Sequence, residues 1–348
     1  MAFCLLVFLI LTSIGRENVV AHGSFTSLTC NFPAIFNFGD SNSDTGGGSA
    51  AFCAVPPPNG ETFFGKPSGR FCDGRLIIDF IVEHLGLPYL SAYLDAVGAD
   101  FRNAYDVNFS TFVSCSENIS AFKDNLPKPE DFSKALYTFD IGQNDLTYGF
   151  QHTTEDQVNA SIPDMLDHFS TALQLLYKEG ARAFWIHNTG PIGCLPYSVI
   201  YYPSKSGNVD QNGCVNPQNE VAQAFNHQLK ERLTWLTTQL PHSVLTYVDL
   251  YSAKYALISD AKRQGFVNPL KFCCGSYYGH HVDCGKRVTI NGTVYGNPCT
   301  NPSAHISWDG IHYSQAANKW IANNIISGSL SNPPVAINQS CYINENLV

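Results

Sequence analysis

The sequence predicts an α/β fold in which a parallel sheet is covered by helices on both faces. Short runs rich in β-branched and aromatic residues alternate with amphipathic stripes of helical period. No linker, repeat or low-complexity tract divides the chain, so residues 24–348 read as one domain. The candidate strands are Ala34–Phe38, Ala135–Ile141, Ala181–His187 and Val244–Asp249, apolar enough to be buried on both sides. Between them, Ile77, Ile81 and Leu85 repeat at i, i+4. Val158, Ile162, Leu166, Phe169, Leu173 and Leu176 make a long stripe, and Val221, Phe225, Leu229, Leu233 and Leu236 another. A fourth helix follows Asp249, and a fifth runs from near Ser314 to about Ile326. In such sheets ligands bind at the carboxyl ends of the strands. That rule puts Ser41 and the Gly142–Asn144 segment on one rim, with the Pro56–Phe71 and Pro203–Pro217 loops walling a cleft.

At 348 residues, 44% hydrophobic and 14% charged, the composition is that of a packed globular protein. A net charge of −9 and 20 scattered basic residues argue against a nucleic-acid surface. The apolar run Met1–Thr12 reads as the core of a signal peptide covering residues 1–23, with a cleavage site between Ala21 and Ser24. It is too short to span a bilayer, which needs roughly 20 apolar residues, although a membrane anchor is the alternative.

The cysteines agree with export. Twelve are present, and those beyond Cys4 (30, 53, 72, 115, 194, 214, 273, 274, 284, 299 and 341) read first as disulfides, with an odd one left over. Cys273, Cys274, Cys284 and Cys299 lack the paired CxxC spacing of a zinc site. The sequons at Asn108, Asn118, Asn159, Asn291 and Asn338 fit a glycosylated extracellular protein of the apoplast or cell wall.

Three short segments carry chemistry. In Phe38-Gly-Asp-Ser41, Gly39 allows a tight turn out of the strand, and the amides that follow can point toward an anion beside Ser41. A serine there can equally cap a helix. In Asp309-Gly-Ile-His312, the three-residue spacing lets a carboxylate hold one imidazole nitrogen while the other faces a hydroxyl. The plainer reading is a solvated acid and a loop histidine. In Gly142-Gln-Asn144-Asp145, the Asn144 amide can donate to a developing oxyanion, or it can merely form an Asx-turn. The Gly60–Lys66 segment imitates a phosphate loop, but Pro67 replaces the Ser or Thr and no strand precedes it. His280-His281 reads as stapled surface, and Asp44 and Asp73 as structural acids. No metal or nucleotide motif is present, and no cofactor is implied.

These segments, in this order, resemble the blocks of the plant GDSL esterase/lipase family of the SGNH hydrolase superfamily, with Asn42 where the family name has Leu. Thr189-Gly-Pro-Ile-Gly-Cys194-Leu-Pro and Pro57-Pro-Asn-Gly60 extend the similarity to roughly residues 32–341, closest to a nodulin-like branch with some members labelled fucosidases. The resemblance implies a three-layer, flavodoxin-like α/β/α sandwich. It makes Ser41 the nucleophile, His312 the base and Asp309 its partner, with Asn144, the Ser41 amide and a second-block glycine as the oxyanion hole. Here that block reads Asn108-Phe-Ser-Thr-Phe112-Val113-Ser-Cys115, with Phe112 or Val113 at the glycine position. Losing one such donor costs about 10²–10³ in rate.

The expected function is therefore a secreted, monomeric serine ester hydrolase acting through an acyl-enzyme on a small-molecule, lipid or acylated-sugar ester. It needs neither a nucleic-acid partner nor a stable membrane anchor. A catalytically impaired binding or defence protein on the same fold is the rival reading, and an acyltransferase on the same triad is a close variant. Glycoside hydrolysis normally needs two facing carboxylates, whereas the triad offers one already engaged.

Overall fold

The structure, a computed structural model, describes residues 29–92, 105–106, 129–203, 207–277 and 280–341. The predicted leader at 1–23, Asn108, Phe112, Val113, Cys115 and Asn118 lie outside the described residues.

In chain order the strands are β1 (Ile35–Gly39), β2 (Ser91–Ala92), β3 (Tyr105–Asp106), β4 (Leu136–Asp140), β5 (Ala183–His187), β6 (Val244–Val248), β7 (Val288–Ile290), β8 (Thr293–Tyr295) and β9 (Ser331–Asn332). The helices are α1 (Gly47–Ala51), α2 (Glu61–Phe64), α3 (Ile77–His84), α4 (Pro129–Phe132), α5 (Gln143–His152), α6 (Glu155–Lys178), α7 (Pro196–Tyr201), α8 (Asn216–Gln239), α9 (Leu250–Ser259) and α10 (Gln315–Ile325).

Among the described residues seven strands form one sheet in the order β2-β3-β1-β4-β5-β6-β9, parallel except for the antiparallel strand β9. Every residue of β4 and β5 is buried, as expected of strands covered on both faces. The four strands read from the sequence are β1, β4, β5 and β6, each within a residue or two of its expected bounds. The long stripes fall on α6 and α8, which pack together, while α10 packs against both α3 and α9. No helix among the described residues is long and apolar enough to cross a membrane.

The chain runs from β1 to β2 and β3 on one side, then crosses to β4 on the other, so the direction of winding reverses at the β1–β4 pair. That is the switch point where such sheets open a crevice at the strand ends. The register Gly39↔Asp140 and Phe38↔Phe139 places the ends of both strands level.

Disulfides Cys30–Cys341, Cys194–Cys214, Cys273–Cys299 and Cys274–Cys284 take up the sulfurs for which a zinc reading was conceivable. Cys53, exposed, and Cys72, buried, pair with no cysteine among the described residues.

Candidate active site

Ser41 is placed by the way β1 ends. The Asp40 N–H still donates to the Asp140 carbonyl (3.1 Å), and the Ser43 N–H then closes a turn onto the Asp40 carbonyl (3.0 Å). Ser41 occupies the second position of that turn. Below it, the buried Asn37 uses its Oδ1 to accept from Ser43 Oγ (3.0 Å) and Thr138 Oγ1 (2.9 Å), and its Nδ2 donates to the Ser43 carbonyl (2.9 Å). This polar pin fixes the turn against the sheet. Gly39 is required by the close approach, since a Cβ there would lie 2.4 Å from Ser43 Oγ. Asp44 accepts from the amides of Gly46, Gly47 and Gly48 at the start of α1, and Asp73 accepts from the Gln315 N–H (2.6 Å). Both acids are structural, as expected.

The other half of the site is the turn Asp309–His312. Gly310 adopts φ 95° and donates to Ser307 Oγ (2.9 Å), which bends the chain back on itself. Asp309 Oδ1 accepts from the amides of Ile311 (3.0 Å) and His312 (2.8 Å), and its Oδ2 lies 2.6 Å from His312 Nδ1. One carboxylate thus holds both the backbone and the ring of His312. His312 Nε2 is 2.7 Å from Ser41 Oγ, which joins the two halves across 271 residues of sequence. Phe71 stacks on the imidazole (centroids 5.3 Å apart), and the Pro56–Phe71 loop is thereby a wall of the site. Trp308 is anchored by its Nε1–H donating to Asn59 Oδ1 (2.8 Å).

Burial of His312 opposes its imidazolium form. The adjacent Asp309 carboxylate, its hydrogen bond and the charge of Asp40 outweigh that, so the pKa lies above the usual histidine value. The ring is held as a base with a raised proton affinity.

Asn144 stands at the start of α5, two residues past Gly142, whose φ of 100° and tight packing on Phe225 exclude a side chain. Its own side chain is exposed, and neither it nor the Ser41 amide makes a hydrogen bond among the described residues. Both donors are therefore available at the ends of neighbouring strands.

Three residues that the sequence left unmarked, Asp140, His187 and Lys254, lie beneath this rim beside Asp40 of the first segment. Asp40, Asp140, His187 and Lys254 bring two acids, an imidazole and an ammonium to the ends of β1, β4, β5 and one face of α9. Lys254 is 2% exposed. A signal was present, because Leu250, Lys254 and Ile258 fall at i, i+4, i+8 and put a lysine on an apolar stripe. Burial and the neighbouring Asp140 charge push the Asp40 carboxyl up to about 6. Although burial resists ionisation of Asp140, His187 and Lys254 hold its carboxyl below the usual range.

His281 lies on the surface between Tyr201 Oη (2.8 Å) and Asp283 (2.8 Å), in the loop stapled by Cys274–Cys284. Of the described sequons, Asn159 and Asn291 are exposed and Asn338 is half-buried.

The profile of the GDSL-like lipase/acylhydrolase family matches residues 35–325, which includes every element of this site. The chain belongs to that family. It is 49% identical to a GDSL esterase/lipase of Arabidopsis thaliana over 92% of this chain and 94% of that one. Against a maize GDSL esterase/lipase the identity is 46%, over 90% of each chain. A third relative, named alpha-L-fucosidase 3 of Arabidopsis thaliana, is 45% identical over 86% of this chain and 91% of its own. As a member of this plant GDSL group the protein is an ester-bond hydrolase with the SGNH-hydrolase fold.

Proposed function

We propose that the protein is a secreted carboxylester hydrolase that works through an acyl-enzyme on Ser41. One observation carries the reading: the continuous hydrogen-bonded chain Ser41–His312–Asp309, with spacings of 2.7 and 2.6 Å. Ser41 Oγ bonds to the ester carbonyl carbon as its proton passes to His312 Nε2. The Ser41 amide and Asn144 donate to the oxyanion. Collapse of the tetrahedral adduct expels the alcohol, which takes the proton from the imidazolium. Water, deprotonated by His312, then releases the acid and restores Ser41.

The disulfides support maturation in an oxidising compartment, following removal of residues 1–23 from a single domain at 24–348. Exposed Asn159 and Asn291 are the accessible acceptors for glycans. The ester's alcohol is a lipid or sugar hydroxyl, and the enzyme acts as a monomer. A glycosidase role comes from a relative's name alone, since the Asp309 carboxylate is fully occupied by His312 and two amides.

The test is turnover of p-nitrophenyl acetate and butyrate by the mature chain, beside Ser41→Ala and with a fluorophosphonate label. Turnover and labelling that both vanish in the variant support the acyl-enzyme. Turnover that survives in Ser41→Ala refutes it. Labelling without turnover in the natural chain would favour the impaired-enzyme reading, with the fault at Phe112 or Val113.

A further inference from the structure

The buried charges beneath the rim have no part in the acyl-transfer steps, yet they sit against the turn that carries Ser41. Gly39 pairs with Asp140 and the Asp40 N–H donates to the Asp140 carbonyl, so the two acids stand at adjacent strand ends, near enough for the Asp140 charge to act on the Asp40 carboxyl. Asp40 Oδ1 accepts from the Asn42 amide (2.8 Å) and side chain (3.2 Å), while its Oδ2 is buried with no partner among the described residues. Two ionised carboxyls this close repel unless a cation compensates them. His187 Nδ1 is 3.6 Å from Asp140 Oδ2, on the side away from Ser41. The other cation, acting on both acids among the described residues, is Lys254. Its stem packs on Gly190, where a Cβ would come 2.8 Å from Lys254 Cδ, and its Nζ stands 4.7 Å over the ring of Tyr313, the residue after His312.

On the reading that Ser41 is the nucleophile, we propose that Lys254 is a positioning residue. Its buried ammonium is the counter-charge shared by Asp40 and Asp140, and it thereby keeps the Asp40–Ser43 turn in register with His312. Lys254 acts on the acids through space, since it makes no direct ion pair among the described residues. The low polarity of the site makes that attraction felt over a longer range than at the surface. The groups facing it are Asp40 from β1, Asp140 from β4 and Tyr313 and His312 from the segment before α10. Burial lowers its own pKa, and the two carboxylates oppose that loss. Without Lys254 the two carboxylates repel across the strand ends and move apart, and Asn42, held on Asp40 Oδ1, moves with the turn.

The experiment compares Lys254→Met, Lys254→Met/Asp140→Asn and the natural chain on p-nitrophenyl acetate across acidic to neutral pH. Lys254→Met should lower kcat about 10–100-fold with little change in KM, because a misplaced nucleophile affects the reacting geometry more than binding. Its acid limb should move to higher pH. His312 loses a positive neighbour that had lowered its proton affinity. Adding Asp140→Asn removes the uncompensated repulsion and should restore at least about tenfold of the lost kcat. If Lys254→Met does not fold, the double variant should fold and turn over. The proposal is overturned by a folded Lys254→Met with unchanged kcat and acid limb. A double variant no better than the single one, in folding or in turnover, overturns it equally. Failure of the nucleophile reading is seen separately, as turnover in Ser41→Ala.

Discussion

Asp309→Asn is the substitution whose consequence the geometry specifies most closely. Asp309 serves three donors with two oxygens: the amides of Ile311 and His312 on Oδ1 and the His312 Nδ1–H on Oδ2. An asparagine has a single oxygen. If that oxygen stays with the two amides, its NH2 faces Nδ1, which must then be the bare acceptor. The ring proton moves to Nε2 and points at Ser41, so His312 can no longer accept the hydroxyl proton. If the side chain flips, the tautomer is kept but two amides lose their acceptor at about 1–3 kcal/mol each. The first arrangement is the cheaper, so the wrong tautomer should dominate. The expected loss is on the order of 10⁴ in kcat, or about 5 kcal/mol of transition-state stabilisation, with the fold intact. The assay is kcat/KM on p-nitrophenyl butyrate together with the rate of fluorophosphonate labelling and the melting temperature. A folded variant within about tenfold of the natural chain would refute the assignment of Asp309 as the orienting acid.

The raised His312 pKa gives a signed pH prediction. Neutral His312 is the active form, so kcat/KM should rise with pH through a value above the ordinary 6.5. An acid limb well below that value would show that Asp309 does not act on the ring as described. Asp40 can be read through stability. Its carboxyl is raised from 3.8 to about 6, so the folded chain holds that proton more tightly than the unfolded one. Its contribution is therefore lost as pH rises through that window. The melting temperature of the natural chain relative to Asp40→Asn should fall between those limits, and a flat difference would remove the argument. Gly142→Ala forces a side chain into φ 100° and to within 2.8 Å of the Phe225 ring. It should cost about 1–3 kcal/mol, a drop of several degrees in melting temperature, and it should also reduce turnover because Asn144 lies two residues on. Unchanged stability and rate would refute the tight-packing account.

What the sequence made legible follows from how each element is stabilised. β1, β4, β5 and β6 lie inside the sheet with a layer on each face, which demands unbroken apolar runs, and such runs are visible without any partner. α6 and α8 each bury one stripe against the sheet and each other, and that stripe is printed at helical period in the residues. By contrast, α5 buries only Gln143 and Leu146, and its polar sequence carries no period to find. Strand β9 has two residues, too few for any alternation, and exists because the chain after α10 passes the free edge of β6. The site divides in the same way. Ser41, Asp309 and His312 are legible because each needs fixed neighbours within a few residues: a glycine before the hydroxyl and a turn between acid and base. Lys254 is joined to Asp40 and Asp140 only by the folded sheet, through no local spacing. Its trace in sequence is a charge where helix α9 should be apolar. A buried lysine costs too much desolvation to persist without a compensating charge. The misfit of Lys254 with its own helix is therefore the local mark of two carboxylates that come together only when the chain folds.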